Sequence, residues 1–174
     1  MFPDTFETPR LILRPIAAPD AAPIFDTYAQ DAEVTRYLTF RPHTSIADTE
    51  AYIARCLAAT GYRAYVLTGR DDPTIRGALD VRLDRPHAIG YGYVLARRWW
   101  GQGLMTEALS EVVRWALSRE EIWRIGDVCD VDNLASARVM EKSGLTREGI
   151  LRRWSVHPTI SDEPRDCFSY ARTR

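Results

Sequence analysis

The chain has 174 residues and a mass of 19.8 kDa, which suits one domain with a sizeable hydrophobic core. Hydrophobic residues make up 45% of it and charged residues 27%, so a disordered or fibrous chain is excluded. Its 23 Lys and Arg residues against 24 Asp and Glu residues give a net charge of −1, so no overall basic field exists to attract nucleic acid or an anionic membrane.

The cysteines and the N-terminal residues bear on the compartment. Cys56, Cys129 and Cys167 are scattered, without the Cys-x-x-Cys spacing of a metal or redox site. The first ten residues hold two acidic side chains and no apolar segment, unlike a secretory signal. No stretch reaches the roughly 18 apolar residues of a membrane span. The sequence therefore predicts a cytoplasmic protein with reduced cysteines and no metal site.

Turn residues divide the first half of the chain into short patterned segments. A strand is predicted at 10–16, followed by a helix that begins near Pro19 and Asp20. A second helix over 46–59 ends before Gly61. Three strands joined by short gaps, typical of an antiparallel meander, are predicted at 62–67, 75–83 and 88–95.

The second half begins with a change of period. From Leu104 to Leu117 apolar residues recur every three or four positions, which predicts an amphipathic helix packed on a sheet. The resulting order, β-α-α-β-β-β-α-β-α-β-β, indicates a single α/β or α+β domain with a mixed sheet; we place the domain at 8–174, with 1–7 as an N-terminal extension. The remaining elements are a strand at 124–131, a helix at 134–143 that stops at Gly144, and strands at 145–151 and 166–171.

The turn before the long helix is rich in glycine. Gly101 and Gly103 precede the helix N-terminus, where unpaired N–H groups and the helix dipole attract an anion such as pyrophosphate. Alternatively, the glycines only meet the dihedral needs of a tight turn. A Walker loop is excluded because Leu104 and Met105 stand where it needs Lys and Ser/Thr. A dinucleotide fingerprint is excluded because Thr106 stands where it needs Gly or Ala.

The same turn carries a family resemblance. The motif Arg98-x-x-Gly101-x-Gly103 resembles the acetyl-CoA signature Arg/Gln-x-x-Gly-x-Gly/Ala of the GNAT superfamily of N-acetyltransferases. Residues 130–149 are similar to the Asn-x-x-Ser, Glu-Lys-x-Gly-Phe and Glu-Gly segment of its ribosomal-protein-alanine acetyltransferase branch, with Leu145 in place of phenylalanine. The resemblance covers nearly the whole chain, because that branch is also matched by 8–14 and by Arg165-Asp166.

The resemblance implies the GNAT fold, a mixed, mostly antiparallel sheet flanked by helices, in which the strands at 88–95 and 124–131 splay apart to admit acetyl-CoA. The N–H of Leu95 is implied to face the thioester oxygen, where negative charge develops. The backbone of the first strand is expected to bind pantetheine and the following loop the pyrophosphate, at Tyr93, Val94, Leu95, Arg98, Gly101, Gln102, Gly103, Leu104 and Met105.

Two further residues match the Asn-x-x-Ser motif of the branch. Asn133 is implied to hydrogen-bond the pantetheine arm, and Ser136 to protonate the departing thiolate, directly or through water. From the residues alone, Asn133 is also a good helix N-cap and Ser136 a small exposed helix residue. Asp80 and Asp130 are the nearest carboxylates, and neither is assigned as a general base.

The sequence therefore predicts an N-acetyltransferase that acts on a primary amine, either a protein or peptide N-terminal α-amine or a small-molecule amine. An α-amine, with a pKa of about 7.8, needs less help from a base than lysine at about 10.4. Two alternatives stay open: a CoA-binding regulatory module without catalysis, and acyl transfer through Cys129. A homodimer is also open. Arg152, Arg153, Trp154 and His157 lie in a region that borders the acceptor pocket in this family.

Overall fold

The computed structural model describes residues 2–174, and its strands form one open eight-stranded sheet. The strands are β1 Phe6–Glu7, β2 Leu11–Pro15, β3 Tyr62–Gly69, β4 Gly77–Arg85, β5 Ala88–Leu95, β6 Arg124–Asp130, β7 Thr146–Ser155 and β8 Arg165–Thr173. Their order across the sheet is β1-β2-β3-β4-β5-β6-β8-β7, and every neighbouring pair except β5 with β6 is antiparallel. The predicted mixed, mostly antiparallel sheet is confirmed.

Helices cover both faces of the sheet. Residues 2–174 hold four α-helices, α1 Ala21–Ile24, α2 Ile46–Ala58, α3 Leu104–Ser118 and α4 Leu134–Lys142. The core between the sheet and α3 and α4 buries residues such as Tyr91, Leu109 and Met140, whereas the core on the opposite face, toward α1 and α2, buries Ile24 and Ile53.

Strands β5 and β6 separate almost as soon as they meet. Their parallel pairing is limited to Ala88 with Arg124 and Ile89 with Ile125. Beyond these pairs β6 stays bonded to β8 as far as Asp130, and β5 stays bonded to β4 as far as Leu95. The expected splay is therefore confirmed, and it leaves a wedge-shaped gap between β5 and β6.

Several bounds differ from the sequence prediction. The single helix expected after Asp20 is instead α1 followed by a π-helical turn at Phe25–Ala29. The last hairpin is longer than expected, because β7 runs to Ser155. This strand lies at the exposed edge of the sheet, so it lacks the buried alternation by which strands are detected.

The first residues pack closely on the sheet. Phe6 is buried and pairs with Leu13, and the Tyr65 hydroxyl donates to the Pro3 carbonyl at 2.7 Å. The domain limit at residue 8 stays a prediction. Within residues 2–174 no helix is long and apolar enough to cross a membrane. The same residues hold no group of three or more His, Cys, Asp or Glu side chains that could bind a metal ion.

Candidate active site

The direction of the backbone groups along β5 decides what faces the gap. The Tyr91 N–H points toward β6 and donates to Asp127 Oδ2 at 3.1 Å, whereas the Ala96 N–H donates to the Arg76 carbonyl at 2.8 Å on the β4 side. Because successive residues of a strand alternate, Tyr93 and Leu95 present their N–H groups to the gap. Val94 turns its backbone toward β4 and its side chain toward the α1–α2 face.

Asp127 closes the narrow end of the gap. Its carboxylate takes the Tyr91 N–H that a β6 carbonyl would accept in a continuous sheet, and it also pairs with Arg82. Arg82 reaches Asp80 at 3.2 Å and Asp84 at 3.1 Å as well. The Arg82 guanidinium therefore forms ion pairs with three carboxylates. Burial raises the pKa of Asp127, and burial raises that of Asp80 to about 6 despite Arg82 beside it.

The glycine turn joins the open end of β5 to α3. Gly101 and Gly103 have φ of +72° and +74°, in the left-handed region that favours glycine. A Cβ at Gly101 would meet nothing within 4 Å, so this side of the turn is open to a ligand. The N–H groups of Leu104, Met105 and Thr106 have no acceptor inside the helix. The turn therefore presents free N–H groups at the place where we predict that the pyrophosphate binds.

Two side chains hold the turn in place. The indole N–H of Trp100 donates to the Leu95 carbonyl at 2.6 Å, which ties the turn to the end of β5. The Gln102 amide nitrogen donates to the Arg98 carbonyl at 3.1 Å. Arg98 is exposed and lies over the Trp99 ring, with its Cζ 5.4 Å from the ring centroid. Its guanidinium forms no ion pair within residues 2–174.

A contact between distant parts of the chain braces the start of α3. Arg10 Nε lies 2.6 Å from Glu107 Oε2, and Arg10 Nη1 donates to the Gln102 carbonyl at 3.0 Å. The Thr8 hydroxyl donates to Glu107 Oε1 at 2.6 Å. Burial alone would raise the pKa of Glu107, but these hydrogen bonds and the Arg10 charge lower it. Glu107 is thus an anion, and Arg10 neutralises it beside the proposed pyrophosphate position.

The N-terminus of α4 forms the other wall of the gap. Asn133 Oδ1 accepts the Ser136 N–H at 3.1 Å, so Asn133 is the N-cap of α4. Its side-chain NH₂ group keeps its donors for a ligand. The Ser136 hydroxyl lies 2.7 Å from the Tyr93 hydroxyl on β5, and Ser136 is 9% exposed. Strand β5 and helix α4 are therefore in contact across the gap through the side chains of Tyr93 and Ser136.

The C-terminal end of β6 lies near the excursion between β7 and β8. Asp130 is buried, and its carboxylate accepts hydrogen bonds from Arg165 Nε at 2.6 Å and from Arg165 Nη2 at 3.1 Å. Burial opposes its charge, yet the hydrogen bonds from Arg165 and from the Asp132 N–H, together with the charge of Arg165, lower the pKa of Asp130. Asp130 is therefore held by Arg165 and is unsuited to accept a substrate proton. His157 is buried 3.7 Å from Asp130, and Trp154 is 60% exposed.

Sequence reasoning missed three contributors: the phenol of Tyr93, the carboxylate of Asp127 and the guanidinium of Arg10. The one available signal was an aspartate in the apolar middle of β6, where Asp127 lies between Ile125 and Cys129. The partners of Tyr93 and Arg10 lie 43 and 97 residues away in the sequence, where no local pattern reports them.

Comparisons with known proteins identify the family of this chain. Residues 10–146 match the acetyltransferase (GNAT) domain family. The uncharacterized N-acetyltransferase YoaA of Bacillus subtilis is 35% identical over 88% of this chain and 89% of its own length. A GNAT-family acetyltransferase from Bacillus anthracis superposes with a TM-score of 0.86 at 22% identity, covering 97% of this chain and 98% of its own.

A further solved structure is RimL, the ribosomal L7/L12 alpha-N-protein acetyltransferase, in complex with coenzyme A. It superposes with a TM-score of 0.85 at 21% identity over 97% of each chain. The family expected from the glycine turn is confirmed, and so is the acyltransferase class. The chain belongs to the GNAT family of acetyltransferases, enzymes that take their acetyl group from acetyl-CoA.

Proposed function

We propose that this protein transfers the acetyl group of acetyl-CoA directly to a primary amine, in a ternary complex within the gap between β5 and β6. One observation carries this proposal. The free N–H groups of Tyr93 and Leu95 lead along one edge of the gap to the open glycine turn at the N-terminus of α3. A strand edge suits the amides of pantetheine, and a helix N-terminus suits its pyrophosphate.

The remaining predicted contacts follow from this placement. Tyr93 and Leu95 hydrogen-bond pantetheine through their backbone, and Val94 supports them by packing on the α1–α2 face. The backbone N–H groups from Gly101 to Met105, including that of Gln102, surround the pyrophosphate. Arg98 supplies a positive charge at the edge of this turn, and Asn133 offers its NH₂ group from the opposite wall.

The chemistry divides between the two walls. The acceptor nitrogen forms a bond to the thioester carbon, and the carbonyl oxygen gains negative charge opposite the Leu95 N–H. The carbon–sulfur bond then breaks, and Ser136 gives its proton to the sulfur, directly or through water. The amine loses its extra proton to solvent, and water restores the proton of Ser136. The products are an amide and the thiol of CoA.

We propose a protein or peptide N-terminal α-amine as the acceptor, with a small-molecule amine as the alternative. RimL, which shares the fold, is named for acetylating an α-amine. An α-amine also ionises with a pKa near 7.8, so about a third of it is neutral at pH 7.5 without any base. This suits a site in which Asp130 is occupied by Arg165.

Transfer through Cys129 is disfavoured. Burial raises the pKa of the Cys129 thiol to about 12, although Ser136 beside it lowers that pKa in part. A thiol that stays protonated at neutral pH is a poor nucleophile.

Three free cysteines and the use of acetyl-CoA support a cytoplasmic location. A homodimer is the alternative to a monomer, and sedimentation velocity distinguishes the two.

The experiment is an amine panel monitored by release of free thiol from acetyl-CoA, with intact mass confirming the acetylated product. The panel contains peptides with free N-terminal alanine or serine, the same peptides with blocked N-termini and internal lysine, aminoglycosides and polyamines. We expect turnover with free N-termini and none with the blocked peptides. Binding of acetyl-CoA without turnover on any amine would instead support the non-catalytic module.

A further inference from the structure

We propose that the phenol of Tyr93 is a positioning residue that holds the Ser136 hydroxyl so that the Ser136 proton points into the gap. This rests on the proposed role of Ser136 as the proton donor to the leaving sulfur. It adds a side-chain role to a residue whose backbone alone was expected to contact the cosubstrate.

The contact joins the two walls of the gap. Tyr93 lies on β5, on the wall that carries the Leu95 N–H, and Ser136 lies in the first turn of α4 on the other wall. Their hydroxyl oxygens are 2.7 Å apart, the usual distance for a strong O–H···O hydrogen bond. The backbone of Ser136 is fixed separately, because Asn133 caps its N–H. The short contact from Tyr93 therefore acts on the side chain of Ser136 rather than on the position of its backbone in α4.

The direction of this hydrogen bond determines where the serine proton goes. A serine hydroxyl has one proton and two acceptor positions. When Tyr93 donates to Ser136 Oγ, the proton of Ser136 is left for a third group. The Cys129 thiol lies beside Ser136, and the acceptor that we propose during the reaction is the sulfur of the cosubstrate. Without such a partner the serine hydroxyl rotates to whichever acceptor is nearby.

The phenol is suited to remain a donor. Burial raises the pKa of Tyr93, with Cys129 and Asp127 adding to the rise and the hydrogen bond to Ser136 opposing it. Tyr93 therefore keeps its proton at neutral pH. Its alternative acceptor is the Ser136 carbonyl at 3.3 Å, a longer contact than the 2.7 Å to Oγ. The phenol thus orients Ser136 without being consumed in the reaction.

The chain provides a matched control at Tyr91. Its ring stacks on that of Tyr93, with 6.1 Å between centroids and 7° between planes. The Tyr91 hydroxyl is buried and has no hydrogen-bond partner within residues 2–174. Both tyrosines can be changed to phenylalanine with loss of one oxygen each and with the ring packing kept.

The test compares Tyr93→Phe, Tyr91→Phe, Ser136→Ala and the double variant Tyr93→Phe with Ser136→Ala, using an N-terminal alanine peptide as acceptor or whichever panel amine the wild type acetylates. We expect Tyr93→Phe to lower kcat about 10-fold, the rate equivalent of one hydrogen bond. The Kd of acetyl-CoA from calorimetry is expected to stay within twofold. Tyr91→Phe is expected to keep the wild-type kcat.

The double variant is the decisive comparison. If Tyr93 acts through Ser136, the double variant is expected to be no slower than Ser136→Ala alone. Wild-type kcat in Tyr93→Phe, or a double variant slowed by the product of the two single effects, overturns the inference and leaves the proposed function standing. A wild-type enzyme that acetylates no amine would overturn both.

Discussion

Replacing Arg10 with glutamine is expected to weaken acetyl-CoA binding in a way that depends on salt. Arg10 neutralises Glu107 in the first turn of α3 and holds the Gln102 carbonyl of the glycine turn. In Arg10→Gln the Glu107 carboxylate stays beside the pyrophosphate position without its partner. The resulting loss is mainly electrostatic, so ionic strength should change its size.

The structure sets the magnitude. Arg10 Nη1 lies 3.0 Å from the Gln102 carbonyl, and a phosphate on the N–H groups of the turn adds roughly 4 Å, for a charge separation of about 7 Å. At an effective dielectric of about 20 this corresponds to about 2.4 kcal/mol. Screening leaves about 1 kcal/mol at 0.15 M salt, or about fivefold in Kd, and about 1.9 kcal/mol at 0.01 M, or about 25-fold.

Calorimetry of acetyl-CoA at the two salt concentrations measures both values. Arg114→Gln is the matched control, because Arg114 pairs with Glu111 on the same helix but lies further from its N-terminus, and we expect its Kd to equal that of the wild type. Adding Glu107→Gln to Arg10→Gln restores the net charge and should restore affinity. An Arg10→Gln variant with wild-type affinity at low salt would show that Arg10 does not stabilise a pyrophosphate at this turn.

Three further predictions concern catalysis and stability. Ser136→Ala should lower kcat roughly 100-fold at saturating acetyl-CoA with little change in Kd, and unchanged kcat would remove Ser136 as the proton donor. Cys129→Ser should keep its activity and show no acetylated enzyme by intact mass, whereas an acetylated Cys129 in the wild type would contradict direct transfer. The native pKa of Asp80, raised by burial to about 6 from 3.8, means that stability is lost as pH rises through that range. In urea unfolding, the free energy of unfolding of Asp80→Asn relative to that of the wild type should therefore rise by about 1.4 kcal/mol from pH 5 to pH 8. A difference that does not change with pH would contradict the raised pKa.

Local patterns in the sequence predicted most of the fold. The three- to four-residue apolar period of α3 and the glycine that ends α4 are signals within one element, and both elements lie where predicted. The pattern placed a strand at 145–151 but missed the last four residues of β7, which is exposed over most of its length, and it missed the π-helical turn at Phe25–Ala29. Neither of these features depends on an apolar period.

The candidate site was predictable only in part. Gly101 and Gly103 could be identified from the sequence, because a tight turn with positive φ requires glycine whatever the rest of the chain does. The register of β5 with β4 and the contact of Tyr91 with Asp127 decide which N–H groups of β5 face the gap. By this criterion the Leu95 N–H faces the gap and the Val94 N–H does not. Such pairings arise only when the sheet forms, so local patterns do not carry them.

Hydrogen exchange with and without acetyl-CoA shows where on the chain the cosubstrate binds. We expect slower exchange in peptides that cover Tyr93 to Leu95 and Gly101 to Thr106, where N–H groups lack an acceptor in the part of the protein that the structure describes. We expect no change along β7, at the far edge of the sheet. Protection that spares residues 93–106, with acetyl-CoA bound, would contradict the placement of acetyl-CoA in the gap between β5 and β6.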